Sequence, residues 1–367
     1  PIAIANSEQR IQLAGMFSSK NEFDFQLDLN NVGIEPFLPP SDNYAIQAEL
    51  NSNISFYRTP LRNDALLNLT LSDLVINEAE IGDLMINSSG NTVLNSYRNE
   101  LTVIKNQAKT LSVKGGVLVH EKRTTLDMDI EMNSFDMSSL SRLGKGKVTE
   151  IRSLLTGEFN LWGPIDNLTH TGNLTLDGFN MTIPFTNTAY GLEESTQLIL
   201  SEQEIKFIPT SIFDQTRETD GLLKGTISHL NFKDWSMDMN INSNRLILMN
   251  RLKEKGSLFY GSGYLDGDIH VHGPTKNLMI DVDGATAGGT SILIPWEENT
   301  GLADVSFIDF MSKTDFNKPT NEVEEELNDT KKESVKQSGN SGMAAMKLIP
   351  IMLALGAAVL MVGAGIY

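Results

Sequence analysis

Three residues with the chemistry of metal ligands lie two apart in the last third of the chain. Asp268, His270 and His272 would share one face of a strand, because successive strand side chains point to opposite faces. Two imidazoles and a carboxylate suit zinc or iron, which would make a metal-dependent enzyme. A polar outer strand face with ordinary hydrogen bonds explains them more simply, and an earlier copy of this segment has no histidine. We therefore predict no metal site and no cofactor.

Two further segments begin like ligand-binding loops without completing them. Residues 281–284 start as a calcium loop does, but the position of the closing glutamate holds Ile292. Residues 144–147 resemble a phosphate loop, but neither lysine is followed by serine or threonine. No catalytic residue is predicted, and we expect the protein not to be an enzyme.

The composition excludes several other classes of function. The chain has no cysteine, which rules out disulfides, thiolate metal sites and a cysteine nucleophile. Its formal net charge of -18 disfavours binding to nucleic acid, because phosphate contacts need clustered lysine and arginine. The apolar residues are therefore the next place to look for a functional surface.

Most of the chain before residue 300 alternates between apolar and polar residues. Residues 23–29, 126–132 and 237–242 each place apolar side chains on one face and polar, often acidic, side chains on the other. This period of two is typical of a strand, since a helix would distribute the same residues around its circumference. One dry and one solvated face favour antiparallel strands. The sequence predicts a mainly β fold.

An internal repeat indicates how the strands are grouped. Residues 157–164 recur 110 residues later as 267–274, with the same Gly-Pro ending, and a fainter copy precedes them. Units of similar length suggest an elongated, repetitive antiparallel sheet that grows by stacking. We predict three β-repeats, a polar linker and a membrane-spanning helix, in that order. Their predicted ranges are 1–110, 111–220, 221–311, 312–342 and 343–367.

Two segments are predicted to be helical. The apolar positions of residues 148–155 follow helical spacing and stop at Gly157, which indicates a short helix that caps one end of the sheet. Leu348–Tyr367 is uncharged and mostly apolar. As a helix it would be about 30 Å long, the thickness of a hydrocarbon core. We predict that this segment anchors the protein in a membrane.

The dry face of the sheet is the predicted functional site. In a sheet that curls without closing, this face lines an open groove, which acyl chains could cover at about 0.8 kcal/mol per buried methylene. The alternative is a structural β-solenoid or surface adhesin module, in which apolar faces fill a closed core. The predicted groove-lining residues are Phe23, Phe25, Leu27, Leu126, Met128, Ile130, Met132, Phe159, Leu161, Leu174, Leu176, Met237, Met239, Ile241, Ile269 and Val271.

Motifs between Gly157 and Trp296 resemble one known family. They are GPIDNL at 163–168, NTAY at 187–190, GLLKGTISHLNF at 221–232, NRLILMN at 244–250, FYGSGY at 259–264 and GGTSILIP at 288–295. Together they resemble the C-terminal region of TamB proteins of the Bacteroidetes type, within the AsmA-like, bridge-like lipid transfer superfamily.

The resemblance implies a fold, a location and partners. The fold would be a β-taco, a long folded sheet with an apolar trough, in the periplasm of a Gram-negative bacterium and associated with its membranes. TamB-like proteins are implicated in moving phospholipid between the inner and outer membranes and in assembling outer-membrane proteins. They work with an outer-membrane β-barrel, TamA. The family offers no catalytic residue to transfer to this chain.

Overall fold

The computed structural model describes most of the chain before residue 295. The described residues are 2–294, apart from 7, 20–21, 36–37, 39–44, 60–62, 77, 92–93, 121–122, 139–147, 217 and 254–258. The predicted linker at 312–342 and the predicted membrane span at 343–367 lie outside them. Within the described ranges, no helix is long and apolar enough to cross a membrane.

Strands make up most of the described residues, as the alternation predicts. In chain order they are β1 (Ile2–Ala5), β2 (Arg10–Ser19), β3 (Glu22–Gly33), β4 (Ile46–Arg58), β5 (Asn63–Ile76), β6 (Ala79–Asn91), β7 (Ser96–Lys105), β8 (Ala108–His120), β9 (Arg123–Asp136), β10 (Thr149–Pro164), β11 (Thr169–Ile183), β12 (Thr188–Leu192), β13 (Thr196–Glu202), β14 (Glu204–Asp214), β15 (Asp220–Leu230), β16 (Lys233–Arg251), β17 (Tyr260–Pro274), β18 (Met279–Thr286) and β19 (Ser291–Leu293).

These strands form one antiparallel sheet of 19 strands. From β1 to β11 each strand pairs with the next along the chain. The first half of β11 pairs with β13 and its second half with β12, and both lead into β14. The order then runs to β17, which pairs with β18 and β19. The predicted antiparallel β fold is confirmed.

The alternation in the sequence becomes an alternation in burial. In β9, Leu126, Met128, Ile130 and Met132 are buried, and the polar residues between them are exposed. No α-helix occurs among the described residues to cover these side chains. Strands that are not neighbours in the sheet contact each other instead, since the Tyr190 hydroxyl of β12 donates to the Ile247 carbonyl of β16 at 2.6 Å. The sheet thus folds over its own apolar face. We call the face that carries Met128 the inner face and the opposite one the outer face.

The predicted short helix at 148–155 is wrong, because residues 149–155 belong to β10. The register with β11 shifts between Thr149 and Leu154, and Glu150 has a positive φ of 53°. A β-bulge inserts an extra residue and breaks the period of two. Leu154 is therefore 43% exposed while Leu155 is buried, and the apolar spacing imitates that of a helix.

The sequence repeat recurs in the register of the strands. In β9 and β10, Met128 pairs with Leu161, and seven strands later Met239 of β16 pairs with Val271 of β17. The turn after β10 is closed by a hydrogen bond from the Asn167 N–H to the Pro164 carbonyl, at 2.8 Å. The turn after β17 is closed by the equivalent bond between residues 277 and 274, at 2.7 Å. The two copies share both strand pairing and turn geometry.

Gly90 makes room for a buried aromatic ring in the middle of the sheet. Tyr97 of β7 is only 1% exposed and lies opposite Gly90 of β6. A Cβ atom at Gly90 would lie 2.1 Å from the Cδ1 atom of the Tyr97 ring. The glycine thus makes room for the ring to lie flat against the neighbouring strand.

Candidate functional site

The inner face is a continuous band of apolar side chains that crosses neighbouring strands. Ile130 of β9 pairs with Phe159 of β10. Seven strands later, Ile241 of β16 pairs with Ile269 of β17, which in turn pairs with Val282 of β18. Directly paired residues of antiparallel strands lie on the same face. The apolar side chains therefore continue from strand to strand without changing sides.

All sixteen predicted groove-lining residues belong to one hydrophobic cluster on this face. Nine of them are buried, namely Leu126, Met128, Ile130, Met132, Leu161, Leu174, Leu176, Met239 and Ile269. The other seven are partly buried against the cluster, namely Phe23, Phe25, Leu27, Phe159, Met237, Ile241 and Val271. Met128 is fully buried, at 0% exposure. Protein side chains cover the middle of the face, so an open groove there stays a prediction.

The inner face is uncovered at both ends of the sheet. At one end, Ile2 and Ile4 of β1 are 69% and 70% exposed. At the other end, Ile280 and Val282 of β18 are 64% and 52% exposed, although Ile280 is paired with the half-buried Val271. The band of apolar side chains is thus buried centrally and meets solvent at its two outermost strands.

A pair of histidines joins two strands that are not neighbours. His170 of β11 and His229 of β15 are 1% and 6% exposed, and their Nε2 atoms are 2.8 Å apart. His170 pairs with Leu161, so it lies on the inner face. Phe232 and Trp235 pack around the rings, with His229 stacked on Phe232 at a centroid distance of 4.3 Å. The pair lies near the turns that follow β10 and β15.

Hydrogen bonds determine the tautomers of both histidines. The Phe232 N–H donates to Nδ1 of His229 at 3.0 Å, so the proton of that neutral ring is on Nε2. This Nε2–H then donates to Nε2 of His170, whose own proton must be on Nδ1, a buried atom with no hydrogen-bond partner among the described residues. Burial lowers the pKa of each histidine to about 4, and the other ring adds to the effect at His229. Both rings are therefore neutral near pH 7.

Neighbouring turns hold the histidine pair in place. Asn231, at the turn after β15, accepts from the Leu168 N–H at 3.0 Å and donates to the Ile165 carbonyl at 2.9 Å. Gln203 accepts from the Asn231 N–H at 3.0 Å, and its amide donates to Asn167 at 2.9 Å. Three hairpin ends are thereby tied together around the rings.

The outer face of β17 carries the histidines that the sequence singles out. Nε2 of His270 lies 2.8 Å from Oδ1 of Asp238 on β16, and Nε2 of His272 lies 2.8 Å from Oδ2 of Asp281 on β18. Asp268 does not join them, since its carboxylate accepts a hydrogen bond from Asn242 at 2.8 Å. The carboxylates beside the two histidines therefore belong to Asp238 and Asp281 on the neighbouring strands, and not to Asp268.

Sequence reasoning predicted that the apolar residues share one face and missed the buried histidine pair. A signal was available, because His170 stands in phase with the apolar Leu174 and Leu176 of its strand, and His229 is in phase with Ile227. A histidine in phase with an apolar face is expected to be buried. The sequence could not indicate that the two histidines contact each other, because β11 and β15 are not adjacent in the sheet.

Comparison with known proteins identifies one family. Residues 210–355 match the family model described as the TamB C-terminal domain. The predicted resemblance to the TamB family is therefore confirmed, although the match spans less than half of the chain and begins later than residue 157. No curated protein matches the chain, and neither does any solved structure.

Proposed function

We propose that this chain is a non-enzymatic, TamB-like scaffold of the Gram-negative envelope, whose inner face contacts phospholipid acyl chains as they pass between the two membranes. The TamB match suggests a role in the translocation and assembly module. The observation that carries the proposal is the continuous apolar band, which is buried centrally and exposed at both outermost strands.

The exposed ends of this band are where acyl chains first meet the protein. Exposed apolar surface that continues into a buried apolar face is unfavourable in water and marks a binding surface. Each methylene that leaves water there contributes about 0.8 kcal/mol. Methionine side chains such as Met128 and Met239 are flexible and fill irregular space, which suits contact with mobile chains.

An acyl chain can pass along the middle of the sheet only if the parts of the inner face that cover each other, here called the walls, separate. Met128 and Leu161 are at most 2% exposed, so an acyl chain can lie between the walls only in place of protein–protein contacts. Both kinds of contact are apolar, and the exchange therefore costs little transfer free energy. In the described part of the chain no strand pair joins β1 to β18 or β19, so the sheet can widen without breaking strand pairs.

The remaining parts of the proposal rest on the sequence patterns and on the family resemblance. The three β-repeats at 1–110, 111–220 and 221–311 form the scaffold, and residues 312–342 link it to a membrane span at 343–367. Leu348–Tyr367 anchors the protein, and a TamA-like outer-membrane barrel is its partner. The body lies in the periplasm. Assistance to the assembly of outer-membrane proteins would use the same apolar surface.

Substitutions at the exposed end of the inner face test the proposal without disturbing the core. Ile280→Asp/Val282→Asp places two charges where the side chains are more than half exposed, so folding is expected to be retained. The matched control is Asp283→Lys, which changes a charge on the other face of the same strand. We expect phospholipid, quantified by mass spectrometry of the purified full chain, to fall at least threefold in the double variant only. Wild-type amounts of phospholipid in the double variant would contradict the proposal.

A closed structural module remains the second candidate function. The complete burial of Met128 and the 1% exposure of Leu67 and Leu84 favour a core filled by protein alone. This candidate predicts that the purified chain carries no phospholipid in any variant. The same mass-spectrometric experiment therefore distinguishes the two functions.

A further inference from the structure

Two histidines and two carboxylates converge on the outer face, away from the apolar band. The rings of His270 and His272 are stacked at a centroid distance of 4.3 Å and an interplanar angle of 20°. Asp238 on β16 and Asp281 on β18 approach them from the two neighbouring strands. The histidine side chains are 39% and 27% exposed, whereas the carboxylates are 69% and 73% exposed. The cluster is therefore open to ions from solution.

The distances within the cluster are close to those of a metal site. One ligand atom from each of His270, His272 and Asp281 lies within 4.8 Å of the other two. Four ligands at about 2.1 Å around a tetrahedral zinc ion are about 3.4 Å apart. Small rotations of exposed side chains would bring the three atoms to that spacing. Imidazole and carboxylate ligands together favour zinc and similar transition-metal ions over calcium or magnesium.

We propose that His270, His272 and Asp281 bind a divalent transition-metal ion such as Zn²⁺. The three ligands come from two neighbouring strands, β17 and β18, and Asp238 of β16 contacts His270. Every residue of β18 is exposed, so this strand gains little from packing. A metal ion joined to Asp281 would fix β18 to the rest of the sheet, beside the exposed end of the inner face.

The earlier copy of the repeat provides an internal comparison. There, Asn160 occupies the position of His270, and its amide donates to Asp127 at 3.1 Å and to Asp129 at 3.2 Å. Trp162 stands in place of His272 and pairs with Asp127, as His272 pairs with Asp238. Both copies thus share the same strand pairing and one carboxylate, which is Asp127 in the earlier copy and Asp238 in the later one. Only the later copy adds the two imidazoles that can bind a metal.

This comparison supplies a variant that keeps the fold. His270→Asn/His272→Trp installs the residues that the earlier copy accommodates in the same register. The full chain is purified in detergent without a histidine tag and equilibrated with Zn²⁺ by dialysis. We expect about one Zn²⁺ per chain with saturable binding in the wild type, and its loss in the double variant. Asp281→Asn should weaken binding at least tenfold, in the range observed when groups supporting a metal are removed.

Two controls make the result decisive. Asp127→Asn alters the equivalent carboxylate of the earlier copy and should leave zinc binding unchanged. Far-UV circular dichroism should show the same strand content in all variants. The proposal is overturned if the wild type takes up no Zn²⁺, if uptake does not saturate, or if the double variant binds as much as the wild type. Magnesium in excess should not displace the bound zinc, and displacement would also count against the proposal.

Discussion

Acidification should destabilise the protein through the buried pair of His170 and His229. Each ring has a pKa of about 4 in the folded chain, against 6.5 for an ordinary histidine. Since the folded pKa is the lower one, the unfolded chain binds more protons between these values. Stability is therefore complete above pH 6.5 and is lost as the pH falls towards 4.

The size of the effect follows from the shift in pKa. A change from 6.5 to about 4 corresponds to about 3 kcal/mol for one histidine, most of it lost by pH 4.5. Protonation of His170 also places two N–H groups against each other at an Nε2–Nε2 distance of 2.8 Å, and protonation of His229 at Nδ1 places an N–H against the Phe232 N–H. The two sites are coupled, so we expect the pair to lose at least the amount of one histidine.

Urea unfolding of the full chain at pH 7 and pH 4.5, followed by circular dichroism, measures this loss. The comparison is His170→Leu/His229→Asn, in which the asparagine oxygen can still accept from the Phe232 N–H. The wild type should lose about 2–3 kcal/mol more than this variant between the two pH values. His120→Gln, at an exposed position, should behave as the wild type. Equal losses in the wild type and the double variant would refute the reasoning.

Two further predictions concern the packing of the inner face, and both are measured as free energies of unfolding in urea. Gly90→Val should displace the Tyr97 ring and cost about 1–3 kcal/mol, as overpacked cores do. Gly116→Val, where the nearest atom is 3.8 Å from a Cβ, should cost less; equal costs would argue against the contact. Met128→Ala should cost about 2–5 kcal/mol. Met85→Ala, at 37% exposure, should change stability far less, and a similar cost at both positions would contradict the burial.

The strands were predictable because their signal is local. Alternation in residues 126–132 determines which side chains share a face, whatever lies opposite them. The 110-residue repeat is likewise visible in the sequence, and its two copies pair Met128 with Leu161 and Met239 with Val271. The bulge at Glu150 could not be predicted, because one extra residue interrupts the period of two and gives the apolar residues a spacing like that of a helix.

Contacts between distant strands could not be predicted. His170 and His229 are 59 residues apart and meet only because the sheet folds over. Whether the inner face is open or covered is equally invisible in the sequence, since an open groove and a filled core require the same alternation. The sequence also could not show that Asp281, and not Asp268, lies beside His270, because this depends on the register between strands, which a single strand does not specify.

Photo-crosslinking at β18 tests most directly whether the inner face contacts lipid. A photoreactive amino acid is placed at Val282 on the inner face or at Asp283 on the outer face, and the full chain is irradiated in cell envelopes. Adjacent residues of a strand point to opposite faces. Covalent phospholipid adducts should therefore form at Val282 and be absent at Asp283. Adducts of equal yield at both positions, or none at Val282, would contradict the account.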